Sequence, residues 1–277
     1  MDYGLWTTDS PMLLDIRHLT VDFETGTQRV RAVNDVSLAI ERGEAVGLVG
    51  ESGSGKTTLG LAISRLLPEP PARIRAGEIE FEGQDLLRCP QDALYRVRGG
   101  RIAYVFQEPS ASLNPVMTVG RQLVEMVQLH TPLRGAAARR RAVDLLDRVG
   151  IPAPGERLQS FPHELSGGMK QRVMIAMAIA AGPRLVVADE PTTALDVTLE
   201  RQIVGLLQRL QQELGLSLLI ISHNIHLVKR LANRMAVMWE GRIVEDGPTA
   251  QVLANPRHDY TKRLLAAQPH VAALDES

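Results

Sequence analysis

The sequence predicts an α/β fold built on a phosphate-binding loop, with a helical segment inserted in mid-chain. Three observations predict it. Gly50-Glu51-Ser52-Gly53-Ser54-Gly55-Lys56-Thr57 fits the spacing G-x-x-x-x-G-K-[ST] and lies between an apolar run and a helical one. From Lys170 onward, apolar strand-like runs alternate with helical periodicity, the pattern of a largely parallel sheet. Between Gln107 and about His163 the periodicity is helical, and prolines at 152, 154 and 162 break up its end.

Taken in order, Leu13 to Phe23 and Val30 to Ile40 alternate apolar and polar residues, predicting two antiparallel strands about a turn near Gly26. Ala45 to Val49 reads as a buried strand and Leu59 to Leu67 as the helix after the loop. Glu78 to Phe81 and Arg101 to Phe106 are short strands. Val119 to His130 and Ala136 to Val149 are helices joined through Thr131-Pro132 and Gly135. The Arg-rich run within Ala136 to Arg141 is expected on a solvated helix face. Then come a helix over Lys170–Ala181, a strand over Leu185–Ala188, a helix over Thr198–Leu214 and a strand over Ser217–Ile221. Met235–Trp239 and Arg242–Glu245 close the pattern as a hairpin about Gly241.

The loop carries its own chemistry. Glycines let successive backbone N–H groups converge on phosphate oxygens without a Cβ in the way, and the following helix N-terminus adds partial positive charge there. Lys56 is placed to pair with the β- and γ-phosphates, and the Thr57 hydroxyl to ligate Mg²⁺. Gly50, Glu51, Ser52, Gly53, Ser54, Gly55, Lys56, Thr57 and Thr58 are the candidate nucleotide-binding residues. A chance match to this spacing in a chain of this length is about one in a hundred from average residue usage. The sequence therefore predicts a nucleoside triphosphate site.

Composition narrows the class. With 277 residues and 44% hydrophobic content the chain can bury a full core. Lys+Arg number 31 and Asp+Glu 32, a formal net charge of -1, so no global field favours nucleic acid as the main partner. The lone Cys89 cannot form an internal disulfide, which fits a reducing compartment. Met1 to Thr20 lacks the basic start and apolar core of a signal peptide. Apolar runs such as Val173–Ala181 and Leu216–Ile221 fall short of the roughly 20 residues a spanning helix needs, so membrane association is expected only through partners.

Leu185-Val186-Val187-Ala188-Asp189-Glu190 is an apolar strand ending in two carboxylates. Charge beside a strand end is costly unless used. With a phosphate loop upstream, Asp189 is the natural partner of Mg²⁺, bound directly or through a water, and Glu190 can then be the base that activates water against the γ-phosphate. Phe23, the only aromatic residue between Trp6 and Phe81, is the candidate for stacking on adenine.

Leu165-Ser166-Gly167-Gly168-Met169-Lys170-Gln171-Arg172 resembles the signature sequence of ATP-binding cassette (ABC) ATPases. The motif order also resembles that family: Gln107, the signature, the acidic strand, Ala194-Leu195-Asp196, then Ser222-His223. The likeness covers the chain from about Leu13 to Leu265. It implies a RecA-like phosphate-loop core with an N-terminal antiparallel β subdomain and an inserted α-helical subdomain. The domain would run over residues 12–255, with a short tail at 256–277 and the insertion at about 107–163. The resemblance also implies that Ser166, Gly167 and Gly168 contact the γ-phosphate held by an opposite subunit. Gln107 would reach Mg²⁺ or the attacking water, His223 the γ-phosphate, and Asp196 the dimer interface.

Met169 stands where the family often has glutamine. The stretches Met169–Ala178, Phe106–Pro115, Pro191–Asp196 and Asn255–Lys262 resemble the D-type ATPase subunits of dipeptide and oligopeptide importers, and those of nickel importers. Asp259 replaces the proline usual in that tail. The tail ends at Ser277 without cysteine, so the iron–sulfur extension of some members is expected to be absent.

The resemblance implies the ATP-hydrolysing subunit of an importer of peptides or a related small solute, peripheral on the cytoplasmic face of the inner membrane. Its partners would be two membrane-spanning permease subunits, a second ATPase subunit (an identical copy or a different F-type one) and an extracytoplasmic solute-binding protein. The alternatives are a non-transport ABC ATPase acting on nucleic acid or ribosomes, or a nickel or metal-chelate importer subunit.

Overall fold

The computed structural model describes residues 12–193 and 195–267. Its strands and helices in chain order are β1 (Met12–Thr25), β2 (Gln28–Glu41), β3 (Ala45–Val49), α1 (Lys56–Ile63), β4 (Ala72–Phe81), β5 (Gln84–Asp85), α2 (Gln91–Val97) and β6 (Ile102–Val105). They continue with α3 (Pro109–Ser112), α4 (Val119–His130), α5 (Gly135–Arg148), α6 (Pro154–Arg157), α7 (Gly167–Ile179), β7 (Leu185–Asp189) and α8 (Val197–Leu214). Last come β8 (Ser217–Ser222), α9 (Ile225–Leu231), β9 (Arg234–Trp239), β10 (Arg242–Pro248), α10 (Thr249–Ala254) and α11 (Asp259–Ala266). The described residues divide into two compact units: 12–94 with 217–267, and the described part of 95–216.

In the first unit, β1 pairs antiparallel with both β2 and β4, and β4 with β5. The predicted hairpin thus forms, turning between Thr25 and Gln28. Leu14, Ile16, Leu19 and Val21 on β1 are fully buried. So is Asp22, whose carboxylate takes ion pairs from Arg29, Arg31 and Arg75. β4 begins six residues before the strand expected from Glu78, because Arg73 and Arg75 are held by Glu24 and Asp22 across the ladder. Beside this sheet, β3 runs parallel to β8 and β9, and β10 returns antiparallel along β9. Every residue of β3 and of β8 is buried, as expected of a central parallel strand.

The second unit contains the parallel pair β6–β7 and the helices from α3 to α8. α4 is capped by the Thr118 hydroxyl, which accepts from Arg121 N–H, and buries Val119, Leu123 and Val127. α5 buries Ala138, Ala142, Leu145 and Leu146, and leaves Arg139 and Arg140 in solvent. α7 is buried nearly all round, so it reads as a core helix. Ala194 and the tail beyond residue 267 lie outside the described residues.

Candidate functional site

The candidate residues divide between the units. Phe23, the loop from Gly50 to Thr58 and His223 belong to the first; Gln107, Ser166–Gly168, Asp189, Glu190 and Asp196 belong to the second.

In the first unit the loop leaves β3 and enters α1, whose N-cap is Gly55 in a left-handed conformation. The helix ends at Ile63 rather than Leu67, where Arg65 turns the backbone to positive φ. Lys56 is buried, and its Nζ donates to the carbonyls of Gly50 and Glu51, each at 2.8 Å. The ammonium is therefore held over the loop by the loop's own backbone. Two glycines are obligatory. A Cβ on Gly50 would lie 2.1 Å from the Met238 carbonyl oxygen, and one on Gly55 2.1 Å from that of Ala32. The loop is pinned further by Gly241 N–H, which donates to the Ser54 carbonyl at 3.0 Å. Thr57 is exposed and Thr58 half-buried.

Phe23 is half-buried on β1, opposite Val30 and Ala72. His223 is exposed between β8 and α9. The helix behind it is fixed by Asn224, whose side chain accepts from the N–H groups of His226 and Leu227. This helix of seven residues is too short to show a period in the sequence.

In the second unit Asp189 ends β7 and is buried. The Tyr104 hydroxyl on β6 donates to its Oδ2 at 2.6 Å. Burial, then the Asp189 charge, push the Tyr104 phenol well above its ordinary range, so it stays a proton donor. Glu190 follows with φ of 48°, a left-handed conformation unusual for a side chain of this kind. Thr193 Oγ1 donates to Glu190 Oε2 at 3.0 Å. Gln107 is exposed just beyond β6.

Ser166 caps α7 by accepting from Met169 N–H, so the two signature glycines stand in the helix mouth. Its hydroxyl proton remains a donor while one lone pair is used. Gly168 is buried, and a Cβ there would meet Leu199 of α8 at 3.0 Å. Asp196 caps α8 by accepting from Leu199 N–H at 2.8 Å. Lys170 of α7 reaches Ser110 Oγ of α3 at 3.5 Å, tying the signature helix to the segment after Gln107.

Against this geometry, a protein-family model described as ABC transporter matches residues 33–193, more than half of the chain. The match contains the phosphate loop, the signature and the acidic strand end. The chain belongs to the ABC transporter family. It is similar to the oligopeptide transport ATP-binding protein OppD of Bacillus subtilis, 46% identical over 95% of this chain and 74% of that protein. It is also 50% identical to the peptidoglycan transport ATP-binding protein YejF of Agrobacterium fabrum, over 95% of this chain but only 48% of YejF. The solved dimeric ATP-binding cassette MJ0796, in a post-hydrolysis state with ADP and Pi, superposes with a TM-score of 0.76 at 27% identity. That alignment covers 86% of this chain and 99% of the cassette. As an ABC family ATPase domain the chain binds and hydrolyses ATP.

Among the described residues there is no group of three or more His, Cys, Asp or Glu side chains able to hold a metal. Within the second unit the Asp189 carboxylate, oriented by the Tyr104 hydroxyl, is a hard oxygen donor of the kind that suits Mg²⁺. The sequence gives no sign of Tyr104, because a partner on a neighbouring strand leaves no spacing signal.

Proposed function

We propose that this chain is the ATP-hydrolysing subunit of an importer for peptides or a related small solute. The observation that carries the reading is the likeness to OppD along 95% of this chain, phosphate loop and signature included. Two ATPase subunits would dock beneath two permease subunits at the cytoplasmic face of the membrane, with a solute-binding protein delivering cargo. Among the described residues no helix is long and apolar enough to cross a membrane.

In this reading Lys56, steadied by the Gly50 and Glu51 carbonyls, holds the β- and γ-phosphates, while the loop amides through Thr58 cradle them. Phe23 stacks on adenine. Thr57 and Asp189 would hold Mg²⁺, with Gln107 reaching the ion or the attacking water, and the ion would neutralise charge on the phosphates. Glu190 accepts the proton of the attacking water, and His223 orients the γ-phosphate. Ser166, Gly167 and Gly168 at the mouth of α7 present donors to nucleotide on the opposite subunit, and Asp196 lines that interface. Nucleotide closes the dimer, and hydrolysis reopens it. We assign residues 12–255 to the ATPase domain, 107–163 to a helical insertion carrying the groove for the permease, and 256–277 to the tail.

Affinity capture of the tagged chain from its native membranes tests the reading. Two permeases and a second ATPase should co-purify, and loss of the chain should abolish uptake of labelled oligopeptide. Recovery with ribosomal or nucleic-acid partners, or unchanged uptake, would overturn it.

A further inference from the structure

The segment after β10 folds back onto the phosphate loop. Glu245 on β10 receives the N–H groups of Arg257 at 2.9 Å and His258 at 3.0 Å, anchoring the turn that starts α11. His258 then caps the helix, its Nδ1 accepting from Tyr260 N–H at 3.1 Å. Tyr260, 2% exposed, stacks on Trp239 at the end of β9, with ring centroids 5.4 Å apart and planes 19° from parallel. The Arg263 guanidinium lies 6.0 Å from both ring centroids. These contacts fix the phenol ring, whose hydroxyl oxygen accepts from Glu51 N–H at 2.9 Å.

Glu51 is the residue whose carbonyl holds the Lys56 ammonium at 2.8 Å. The same residue thus faces the tail through its N–H and the phosphate-binding lysine through its C=O. The exposed Glu51 side chain makes neither bond. We infer that Tyr260 is a positioning residue for nucleotide binding: its hydroxyl fixes Glu51, and Glu51 fixes Lys56. The inference rests on the loop being the ATP site. It gives the tail a task at that site, although α11 follows the loop by some two hundred residues. Without the hydroxyl, Glu51 is free to tilt, and Lys56 loses a fixed anchor in the nucleotide-ready position.

Titration of the full chain with a fluorescent ATP analogue, alongside thermal unfolding, tests this. Tyr260→Phe keeps the ring, its stacking and its burial, and removes only the acceptor. Its nucleotide Kd should rise about 3- to 10-fold, the effect of one lost neutral hydrogen bond, while the melting temperature of the nucleotide-free protein changes by no more than a few degrees. Lys262→Ala, which removes only the exposed pair with Asp259 on the same helix, should leave Kd unchanged. Lys56→Ala should abolish binding. A Kd within twofold of wild type for Tyr260→Phe, or an equal rise for Lys262→Ala, overturns the positioning role while leaving the ATP site standing. Absence of binding by the wild type, or binding unaffected by Lys56→Ala, overturns the ATP site itself and the inference with it.

Discussion

Tyr104 and Asp189, 85 residues apart, are joined by a hydrogen bond of 2.6 Å between the ends of neighbouring parallel strands. The tyrosine hydroxyl occupies one lone pair of Oδ2 and so fixes the rotation of the carboxylate. On the proposed role of Asp189, that rotation decides which oxygen meets Mg²⁺. Groups that orient a metal-binding carboxylate typically matter 10- to 100-fold in metal affinity. Tyr104→Phe should therefore raise the Mg²⁺ concentration needed for half-maximal ATPase activity by about tenfold. It should also weaken Mn²⁺ association with the nucleotide-bound protein, measured by paramagnetic relaxation. An unchanged metal requirement would remove Tyr104 from the site.

Glu190 sits in a left-handed backbone conformation that costs about 1–2 kcal/mol for a non-glycine residue. Thr193 holds its carboxylate from three residues on. Strain retained at a strand end beside a buried Asp is what a positioned base would require. Glu190→Gln should lower the ATP hydrolysis rate by 10²–10⁴-fold, the usual contribution of a general base, with nucleotide affinity kept. Wild-type turnover in a phosphate-release assay would end the assignment.

Two loop glycines offer a steric contrast. A Cβ on Gly55 would clash with the Ala32 carbonyl, whereas one on Gly53 would meet nothing within 4 Å, and both residues have positive φ. Backbone strain is common to the two substitutions; the clash belongs to one. Gly53→Ala should lower stability by about 1 kcal/mol. Gly55→Ala should add roughly 1–3 kcal/mol more, as overpacking does, and displace Lys56 with loss of nucleotide binding. Urea unfolding of both variants checks the difference.

The same physics explains which elements the sequence announces. The phosphate loop is legible because its function needs fixed residue types at fixed spacing, and α4 because Thr118 precedes a clean helical stripe. Only the end of β4 is legible, because Arg73 and Arg75 look like loop residues until Asp22 and Glu24 arrive from β1. α9 and α11, of seven and eight residues, are too short to establish a period. Tyr260 and Tyr104 had no local signal, since their partners lie 209 and 85 residues away.

Two buried or half-buried carboxylates set the response to acid. Burial alone would raise Asp22, yet hydrogen bonds from Arg29 and Arg31 outweigh it and hold the carboxyl below its ordinary value. Glu245 behaves alike: burial alone would raise it, and the Arg257 N–H, the Thr261 side chain and the His258 N–H together hold it below its ordinary value. Because both folded values lie below the unfolded ones, the folded protein binds fewer protons. The stability they contribute is complete above the ordinary carboxylate pKa of about 4 and is lost as pH falls through the folded values. Thermal unfolding between about pH 6 and pH 3 should show the melting temperature falling steeply below about pH 4. Glu245→Gln should flatten part of that fall and, by loosening the start of α11, weaken nucleotide binding in the same direction as Tyr260→Phe. A melting profile for Glu245→Gln parallel to wild type throughout would show that the carboxylate is not what anchors the tail.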